Sequence, residues 1–352
     1  MSLELRPYQI QDLSFYISNK KCLNRSDTGV GKTPPTCVMF KYVSDYEHGS
    51  SIWVMPKSLL GKNAEELINW TGLSTLIYRG KPTKDKWRGE QFDVILTTAA
   101  TLMAHYETIR LMLKKKLTLI ACDESHLYYS SITSKRCEFF VALSRKIDRV
   151  IFLTATVIQG RLDSSFPILH TIEPRYYGHH RSFLDQHCVR DSFTNKVVGW
   201  RNSEKVGKLL EKHSISHTFR EAYGEKNVVY IPVSIELDPK HRKSYEEFEQ
   251  MAMLELDDQS ILSATEMGVH TIRCRQLLAC PELLGLKIAE IGKDLWLFEN
   301  ILSGQFNRVV IFTSIRGEQE RVFKLVSEKG FTVELINGTV SGEKRVKIDE
   351  AF

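Results

Sequence analysis

The sequence predicts an α/β protein built around a parallel sheet. In its first half, short apolar runs rich in β-branched residues alternate with longer amphipathic stretches, and this alternation is typical of βαβ units. Strands that are apolar along most of their length also indicate a sheet covered on both faces, as parallel sheets usually are. The predicted strands are Ser51–Pro56, Ser74–Tyr78, Phe92–Thr98, Leu117–Asp123 and Arg149–Thr156, with helices such as Leu59–Trp70 and Lys135–Arg145 between them.

The same patterns divide the chain into three segments. Residues 1–160 hold the alternating strands and helices, so we assign them to a first α/β lobe. Residues 161–225 are polar and helical in pattern with few strand-like runs, which predicts a helical linker or insertion. Residues 226–352 begin a second α/β domain. Its predicted strands are Asn227–Leu237, Arg308–Ser314 and Thr332–Asn337, and its predicted helices are Pro239–Leu256 and Thr265–Leu278.

Composition and charge fit a globular protein with a reduced interior. Of the 352 residues, 42% are hydrophobic and 26% are charged, and the net charge of +5 permits a polyanionic partner. No apolar run approaches the roughly 18 residues that a membrane helix needs, and the first residues show no signal-peptide pattern. The seven cysteines have no metal-ligand spacing. We therefore expect free thiols and a cytoplasmic or nuclear protein that is not secreted.

A glycine-containing segment before an apolar stretch predicts a phosphate-binding loop. Its glycines allow backbone N–H groups to turn toward phosphate oxygens, and the start of the following helix adds positive potential. Lys32 would place its charge on the β- and γ-phosphates of ATP, and Thr33 would offer a hydroxyl ligand to Mg²⁺. Ser26 stands where the pattern G-x-x-x-x-G-K-[ST] has its first glycine. The residues predicted to contact the nucleotide here are Asp27, Thr28, Gly29, Val30, Gly31, Lys32 and Thr33.

A second pattern indicates the same chemistry. The apolar run Leu117–Cys122 leads into Asp123-Glu124-Ser125-His126, and a carboxylate at the end of a parallel strand lies beside the phosphate loop of such a sheet. Asp123 would hold Mg²⁺, while Glu124 would orient and deprotonate the attacking water. A lysine loop, a strand-ending acidic pair and βαβ order together predict an enzyme that hydrolyses ATP with Mg²⁺.

These segments resemble the motifs of superfamily-two helicases, and their neighbours resemble the Swi/Snf-type branch. Leu5–Gln9 (LRPYQ) is similar to the opening L-R-x-Y-Q, Pro56–Leu60 (PKSLL) to P-x-S-L-L, and Leu153–Gly160 (LTATVIQG) to L-T-[AG]-T-P-I-Q-N. The resemblance covers nearly the whole chain. It implies two RecA-like motor lobes with parallel sheets, a helical insertion between them and an incomplete second lobe. Further similar segments are Thr97–Thr98, Glu173–Gly178, Arg273–Pro281 and Val309–Ser314.

The resemblance also implies roles for individual residues. Arg6 and Gln9 would contact the nucleotide, with Gln9 reading the adenine. His126 would link the γ-phosphate to the interface between the lobes, and Gln159 would couple the state of the ATP to lobe closure. The residues implied to lie along the nucleic-acid backbone are Pro56, Lys57, Ser58, Thr97, Thr98, Thr313 and Ser314.

Several positions depart from the family pattern. Val157 replaces the usual proline, Gly160 replaces the usual asparagine, and Tyr129–Ser130 stand where many members have Lys-Asn. These changes indicate a divergent member, such as one from a phage or a bacterium. The sequence reaches Phe352 before the family's fifth and sixth motifs, and the sixth carries the arginine finger that stabilises the transferring phosphoryl group.

The expected function is an ATP-driven translocase acting on duplex or branched DNA without sequence preference, because such a motor grips phosphates rather than base edges. One alternative is a strand-separating or branch-migration helicase acting on DNA or RNA. Another, from a different class, is an ATP-dependent nucleic-acid-binding module without catalysis of its own.

Overall fold

The computed structural model describes residues 4–80, 89–225, 228–256, 260–264, 267–288, 290–304 and 306–352. Its contacts divide the chain into two compact units, residues 1–227 and residues 228–352. In the part of the chain that is described, no helix has the length and apolar character needed to cross a membrane.

The first unit contains ten helices and nine strands among its described residues. Its helices are α1 (Pro7–Ser18), α2 (Thr33–Tyr46), α3 (Leu60–Thr71), α4 (Ala99–Leu111), α5 (Lys135–Lys146), α6 (Phe166–Ile172), α7 (Pro174–Tyr177), α8 (His180–His187), α9 (Ser203–Lys212) and α10 (Phe219–Tyr223). Its strands are β1 (Lys21–Asn24), β2 (Ser50–Val54), β3 (Thr75–Tyr78), β4 (Val94–Thr97), β5 (Leu117–Asp123), β6 (Arg149–Leu153), β7 (Cys188–Arg190), β8 (Val197–Trp200) and β9 (Ser214–Ile215).

Seven of these strands form one parallel sheet in the order β3-β4-β2-β5-β6-β1-β9. All five strands predicted in the first lobe are present in it. Strands β1 and β9 were not predicted, because runs of four and two residues are too short to show a period. Since every pair is parallel, the carboxyl ends of the seven strands meet at one edge.

The two faces of this sheet are buried in separate apolar clusters. Along β5, Ile120 and Cys122 pack into one cluster, while Leu119 and Ala121 pack into the other, as the two-residue period of a strand requires. Helices α1, α2 and α3 cover the second face, and α4, α5, α6, α8 and α9 cover the first. Packing on both faces fixes the strand ends, which is what a precise site at the sheet edge needs.

Helix ends in this unit follow from local side-chain chemistry. The Thr98 hydroxyl accepts the N–H of Thr101 at the start of α4, and the Ser134 hydroxyl accepts the N–H of Cys137 at the start of α5. Helix α3 ends at Gly72, whose φ of 67° closes the helix in the left-handed region.

The second unit is mainly helical in its described residues. A small core around Phe248, Leu254 and Leu277 joins its first two helices to an antiparallel hairpin. Its elements are helices α11 (Pro239–Met251), α12 (Met267–Ala279), α13 (Gly292–Asn300), α14 (Arg316–Glu328) and α15 (Gly342–Ala351), with strands β10 (Met253–Glu255) and β11 (Ile261–Ser263).

The strands predicted in the second unit are wrong for the residues that the structure describes. The ranges Asn227–Leu237, Arg308–Ser314 and Thr332–Asn337 form no strand there, and Asn227 itself lies outside the described residues. A β-branched apolar run becomes a strand only when it finds a ladder partner and a covered face. These runs have neither, and Tyr230 and Phe312 remain 89% and 92% exposed.

Candidate active site at the carboxyl edge of the sheet

The phosphate loop begins where β1 ends. The buried side chain of Asn24 accepts the N–H of Ser26 at 3.0 Å, which turns the chain out of the strand. The ammonium of Lys32 donates to the carbonyl oxygens of Ser26 and Asp27 at 2.8 and 3.0 Å, so it lies within the curve of the loop. Burial lowers the pKa of Lys32, and the carboxylates of Asp123 and Glu124 oppose that change.

The rest of the loop is arranged as its sequence requires. Asp27, Thr28 and Gly29 are exposed, Val30 is buried and Thr33 begins α2. Glycine is needed at position 31, where φ is +81° and a Cβ would come within 2.9 Å of the Gln9 amide nitrogen.

Helix α1 is bonded directly to this loop. Gln9 Nε2 donates to the carbonyl oxygen of Gly31 at 2.9 Å, and Gln9 Oε1 accepts the N–H of Arg6 at 2.9 Å. The hydroxyl of Tyr8 donates to the carbonyl oxygen of Val30, also at 2.9 Å. The Gln9 carboxamide still has one N–H and one oxygen lone pair uncommitted to these two bonds.

The acidic pair lies at the end of β5. Burial, followed by the neighbouring Glu124 carboxylate, raises the pKa of Asp123 to about 6. Glu124 has a φ of 48° and a ψ of 47°, a left-handed conformation that costs a non-glycine residue energy. Its backbone N–H donates to Asp123 Oδ1 at 3.0 Å, and this bond holds the strained turn.

His126 joins the acidic pair to the end of β6. Its Nδ1 lies 3.3 Å from Glu124 Oε2 and 2.8 Å from the hydroxyl oxygen of Thr154. The same hydroxyl oxygen accepts the N–H of Thr156 at 3.0 Å. A continuous polar chain therefore runs from Glu124 through His126 to the segment that follows β6.

The segment that follows β6 passes from the core to the surface within a few residues. Val157 is buried, whereas Gln159 and Gly160 are exposed. The backbone N–H of Gln159 donates to the Ser164 hydroxyl at 3.0 Å, which leaves the Gln159 side chain facing solvent. Gly160 has a φ of +70°, a conformation that glycine and asparagine adopt more readily than other residues.

The residues predicted to contact nucleic acid are differently placed. Lys57 and Ser58 are exposed just beyond β2, and Pro56 beside them is half-buried. Thr97 is fully buried and donates its hydroxyl to the carbonyl oxygen of Tyr78 at 2.9 Å, so its side chain does not reach the surface. Thr98 is partly exposed at the start of α4.

Thr313 and Ser314 lie in the second unit. They line a cavity of about 320 Å³ together with Arg316, Asn337 and Thr339. The cavity is mostly polar in its side chains, and two of its walls are the loops that precede α14 and α15.

A known protein family matches most of this chain. The sequence profile described as "SNF2-related domain" matches residues 8–283, well over half of the chain. This chain belongs to the SNF2-related domain family. The matched range includes the phosphate loop and the acidic pair after β5.

Individual relatives are distant and much longer. The chain is 23% identical over 381 residues to the mouse "Chromodomain-helicase-DNA-binding protein 1-like", covering 97% of this chain and 40% of that protein. It is 22% identical over 205 residues to the human "Chromodomain-helicase-DNA-binding protein 8", covering 51% of this chain and 8% of that protein. The chain therefore spans well under half the length of these curated relatives.

The fold is shared with a solved motor core. The structure titled "Sulfolobus solfataricus SWI2/SNF2 ATPase core in complex with dsDNA" matches with a TM-score of 0.51 at 19% identity. The match covers 99% of this chain and 75% of that one. The predicted α/β architecture with RecA-like lobes is confirmed by this likeness.

Tyr129, which departs from the family pattern, and Ser26, which departs from the strict phosphate-loop pattern, both have structural explanations. Tyr129 is fully buried, its hydroxyl lies 2.8 Å from the Ser144 hydroxyl, and its ring packs edge-on against Phe152 at 4.8 Å. Tyr129 thus anchors the turn after the acidic pair in the core, where a lysine could not be buried without a partner. Ser26 is also fully buried, and its hydroxyl accepts the N–H of His217 at 2.9 Å.

Sequence reasoning missed the residues after β9 that form hydrogen bonds with the phosphate loop. The N–H of Asp27 donates to the carbonyl oxygen of His217 at 3.0 Å, and Asp27 Oδ2 accepts the N–H of Phe219 at 2.9 Å. His217 Nε2 in turn lies 3.3 Å from a carboxylate oxygen of the buried Asp12. The available signal was the acidic Asp12 at helical spacing from Gln9 and Tyr16, on the face of α1 that is buried.

Proposed function

We propose that this protein is an ATP-hydrolysing motor that moves along duplex or branched DNA. The observation that carries the proposal is the convergence of a lysine-containing phosphate loop, an acidic pair and the His126–Thr154 link at one sheet edge. Membership of the SNF2-related domain family supports ATP as the substrate. In this proposal Val228–Phe352 contains the start of the second motor lobe. The predicted insertion, residues 161–225, belongs to the first lobe, because its β9 extends that lobe's sheet and its α6, α8 and α9 cover one face.

The residues at the loop fit a triphosphate with Mg²⁺. The Lys32 ammonium is held on loop carbonyls by bonds that phosphate oxygens could replace with stronger, charge-assisted ones. Thr33 and Asp123 offer a hydroxyl and a carboxylate, the hard oxygen donors that Mg²⁺ prefers. The raised pKa of Asp123, caused by burial and by Glu124, marks a position where added positive charge would be stabilising. Bound Mg²⁺ would neutralise charge on the β- and γ-phosphates.

Glu124 is the proposed general base. Its strained backbone directs a partly exposed carboxylate away from the strand, and His126 lies close enough to fix that carboxylate's orientation. The link from His126 to Thr154 gives the γ-phosphate position a direct path to the exposed segment ending in Gln159. In this proposal that segment couples hydrolysis to movement of the lobes.

DNA is the proposed track. The solved core with the same fold is titled as a complex with double-stranded DNA, and exposed Lys57 and Ser58 lie on the edge that also bears the nucleotide site. Contacts through lysine and backbone groups would grip phosphates without reading sequence. Of the predicted threonine pair, Thr98 is the member with a partly exposed side chain.

Steady-state ATPase measurements with duplex DNA, single-stranded DNA and RNA test the proposal. We expect duplex DNA to stimulate turnover most, and affinity for DNA to fall steeply with salt because bound counterions are released. Glu124→Gln should still bind ATP but lose turnover, since the amide keeps the side chain's shape and removes the base. Stimulation by RNA or single strands alone would favour the helicase alternative.

Two lysine variants separate DNA binding from catalysis. Lys57→Ala should weaken DNA binding and lower the salt dependence by about one phosphate contact. Lys116→Ala is the matched control, because Lys116 is also exposed but precedes β5 at the opposite edge of the sheet and pairs with Asp148. Equal effects of the two variants would contradict the proposed track, and ATP binding without any turnover would favour a binding module.

A further inference from the structure

Strands β7 and β8 form an antiparallel hairpin whose turn is closed by its own side chains. Asp191 Oδ1 accepts the N–H of Phe193 at 3.1 Å, and it accepts both the N–H and the hydroxyl of Thr194, at 2.7 and 2.8 Å. Asp191 also donates its backbone N–H to the carbonyl oxygen of Lys196 at 2.9 Å. The backbone that carries Phe193 is therefore held by several bonds within the turn.

The side chain of Phe193 is left uncovered by this ordered turn. It is 96% exposed, and its neighbours Ser192, Thr194 and Asn195 are polar and exposed as well. An aromatic ring that stands free on a fixed backbone offers a flat apolar face of about the size of one nucleobase.

The hairpin is also basic. Between Cys188 and Arg201 the chain carries the cations Arg190, Lys196 and Arg201, all exposed, and the single acidic residue Asp191. The hydrogen bonds that the Asp191 carboxylate accepts in the turn lower its pKa. Cations around an aromatic ring are the combination that binds single-stranded nucleic acid, because the ring stacks on a base while the cations attract phosphates.

The end of the hairpin opposite the turn is joined to the core of the first unit. His187, which is fully buried, lies with Nε2 2.9 Å from the Tyr177 hydroxyl and with Nδ1 3.1 Å from the carbonyl oxygen of Arg201. Trp200 is partly buried and packs against the apolar cluster on the first face of the sheet. These contacts give the turn a firm support, which a group that contacts a ligand needs.

The same end of the hairpin contacts the segment that follows β6. The guanidinium carbon of Arg161 lies 6.0 Å from the centroid of the Trp200 ring, and Arg161 donates Nε and Nη2 to the Asp163 carboxylate at 3.1 and 2.8 Å. The carbonyl oxygen of Arg161 accepts the Ser164 hydroxyl at 2.7 Å, and that hydroxyl accepts the N–H of Gln159. The hairpin is therefore attached beside the segment proposed to couple ATP hydrolysis to movement, at the carboxyl edge of the sheet.

We propose that the β7–β8 hairpin binds unpaired bases at a DNA junction and that Phe193 stacks on the first of them. The inference rests on the proposed function and specifies its substrate class, which is duplex DNA that opens into single strands. Lys57 at the same sheet edge would contact phosphates of the duplex, and the hairpin would contact a strand that leaves it. Stacking accepts every base, so the contact needs no sequence preference.

Binding of two DNAs to the 352-residue chain tests the inference. One is a blunt duplex, and the other is a fork with the same duplex and two unpaired arms. The parent should bind the fork about five- to tenfold more tightly at equal salt. Phe193→Ala should lose that preference and leave affinity for the blunt duplex unchanged, because only the stack with an unpaired base is removed.

Three further variants isolate the stacking contact. Phe193→Trp keeps a flat ring and should retain the preference for the fork, whereas Phe193→Leu keeps an apolar side chain without a flat face and should lose it. Tyr46→Ala is the matched control, because Tyr46 is 74% exposed at the end of α2, toward the amino edge of the sheet. A fluorescent adenine analogue at the first unpaired position should be quenched by the parent and by Tyr46→Ala, but not by Phe193→Ala.

The outcomes separate this inference from the proposed function. A fork preference that survives in Phe193→Ala or Phe193→Leu, or an equal loss for fork and duplex, would overturn the inference. A parent that binds the blunt duplex in a salt-dependent way without preferring the fork contradicts this inference alone. A parent that binds neither DNA contradicts the proposed function and this inference with it.

Discussion

At the scale of single residues, the candidate site contains a carboxyl group, that of Asp12, which is buried away from the water that would normally solvate its charge. Asp12 is 1% exposed, yet it is a carboxyl group with His217, Asn24 and Lys32 as its polar surroundings. Burial raises the pKa of Asp12 to about 6, and the interactions with those three side chains only partly oppose the rise. Above that pH the folded protein holds a buried carboxylate at a cost in stability.

Asp12→Asn should therefore stabilise the nucleotide-free protein near neutral pH. Because the folded pKa lies above the unfolded one, the parent loses stability as the pH rises from about 4 through about 6, and the amide does not titrate. We expect a gain of roughly 1–3 kcal/mol at pH 7.5 that vanishes near pH 4. Urea unfolding of both proteins at the two pH values measures it. A variant less stable than the parent at pH 7.5 would mean that the ion pair with His217 outweighs burial.

At the scale of elements, the sequence predicted those parts whose pattern is long enough to carry a period. Strand β5 and helices α3 and α5 lie close to their predicted bounds, because seven to twelve residues show which face is buried. Strand β9 has two residues, and its place in the sheet follows from tertiary contacts with β1 and the loop. In the second unit the sequence predicted a strand that is not formed. Apolar composition predicted it at Arg308–Ser314, but these residues pair with no other strand.

The residues of the candidate site also fall into two groups, those that a local sequence pattern predicts and those that it does not. Lys32, Asp123 and Glu124 were predictable because their chemistry requires fixed residue types at short spacing. His217 and Phe219 bond to a loop almost two hundred positions away in the chain, and no local sequence pattern predicts such a contact. Thr97 is a residue that a motif match predicted to contact nucleic acid but that is buried. The match did not indicate which of the two adjacent threonines faces outward.

Ser26 allows the anchoring of the phosphate loop by residues 214–223 to be tested. Ser26→Gly would complete the consensus glycine pattern of the loop, yet it removes the acceptor for the partly buried N–H of His217. We expect a loss of about 1–3 kcal/mol in the free energy of unfolding, together with weaker ATP binding. Ser26→Ala, which lacks the hydroxyl but not the Cβ, should behave similarly, and Ser58→Ala at an exposed position should not. Tighter ATP binding by Ser26→Gly would show that the consensus residue, rather than the anchor, suits this loop.

At the scale of the whole molecule, the proposed nucleotide site lies within one of the two compact units. Every side chain assigned to ATP, from Arg6 to His126, belongs to residues 1–227, and that unit contains the complete seven-stranded sheet with both faces covered. The predicted nucleic-acid residues are divided, with Lys57 and Thr98 in the first unit and Thr313 and Ser314 in the second. Binding of ATP and movement on DNA should therefore depend on different lengths of chain.

A fragment of residues 1–227 tests this separation. Its sheet and core are self-contained, so it should unfold in one cooperative transition. Because every assigned ATP contact lies between Arg6 and His126, it should bind ATP with a dissociation constant within about threefold of the 352-residue chain, a difference below ~1 kcal/mol. Stimulation of its ATPase by duplex DNA should be lost, since a motor needs a second lobe to close on the nucleotide. Calorimetry, thermal unfolding and ATPase assays on both lengths provide the comparison. A fragment that folds but fails to bind ATP would require a contact from the second unit and would move part of the site there, whereas full DNA stimulation in the fragment would remove the second unit from the catalytic cycle.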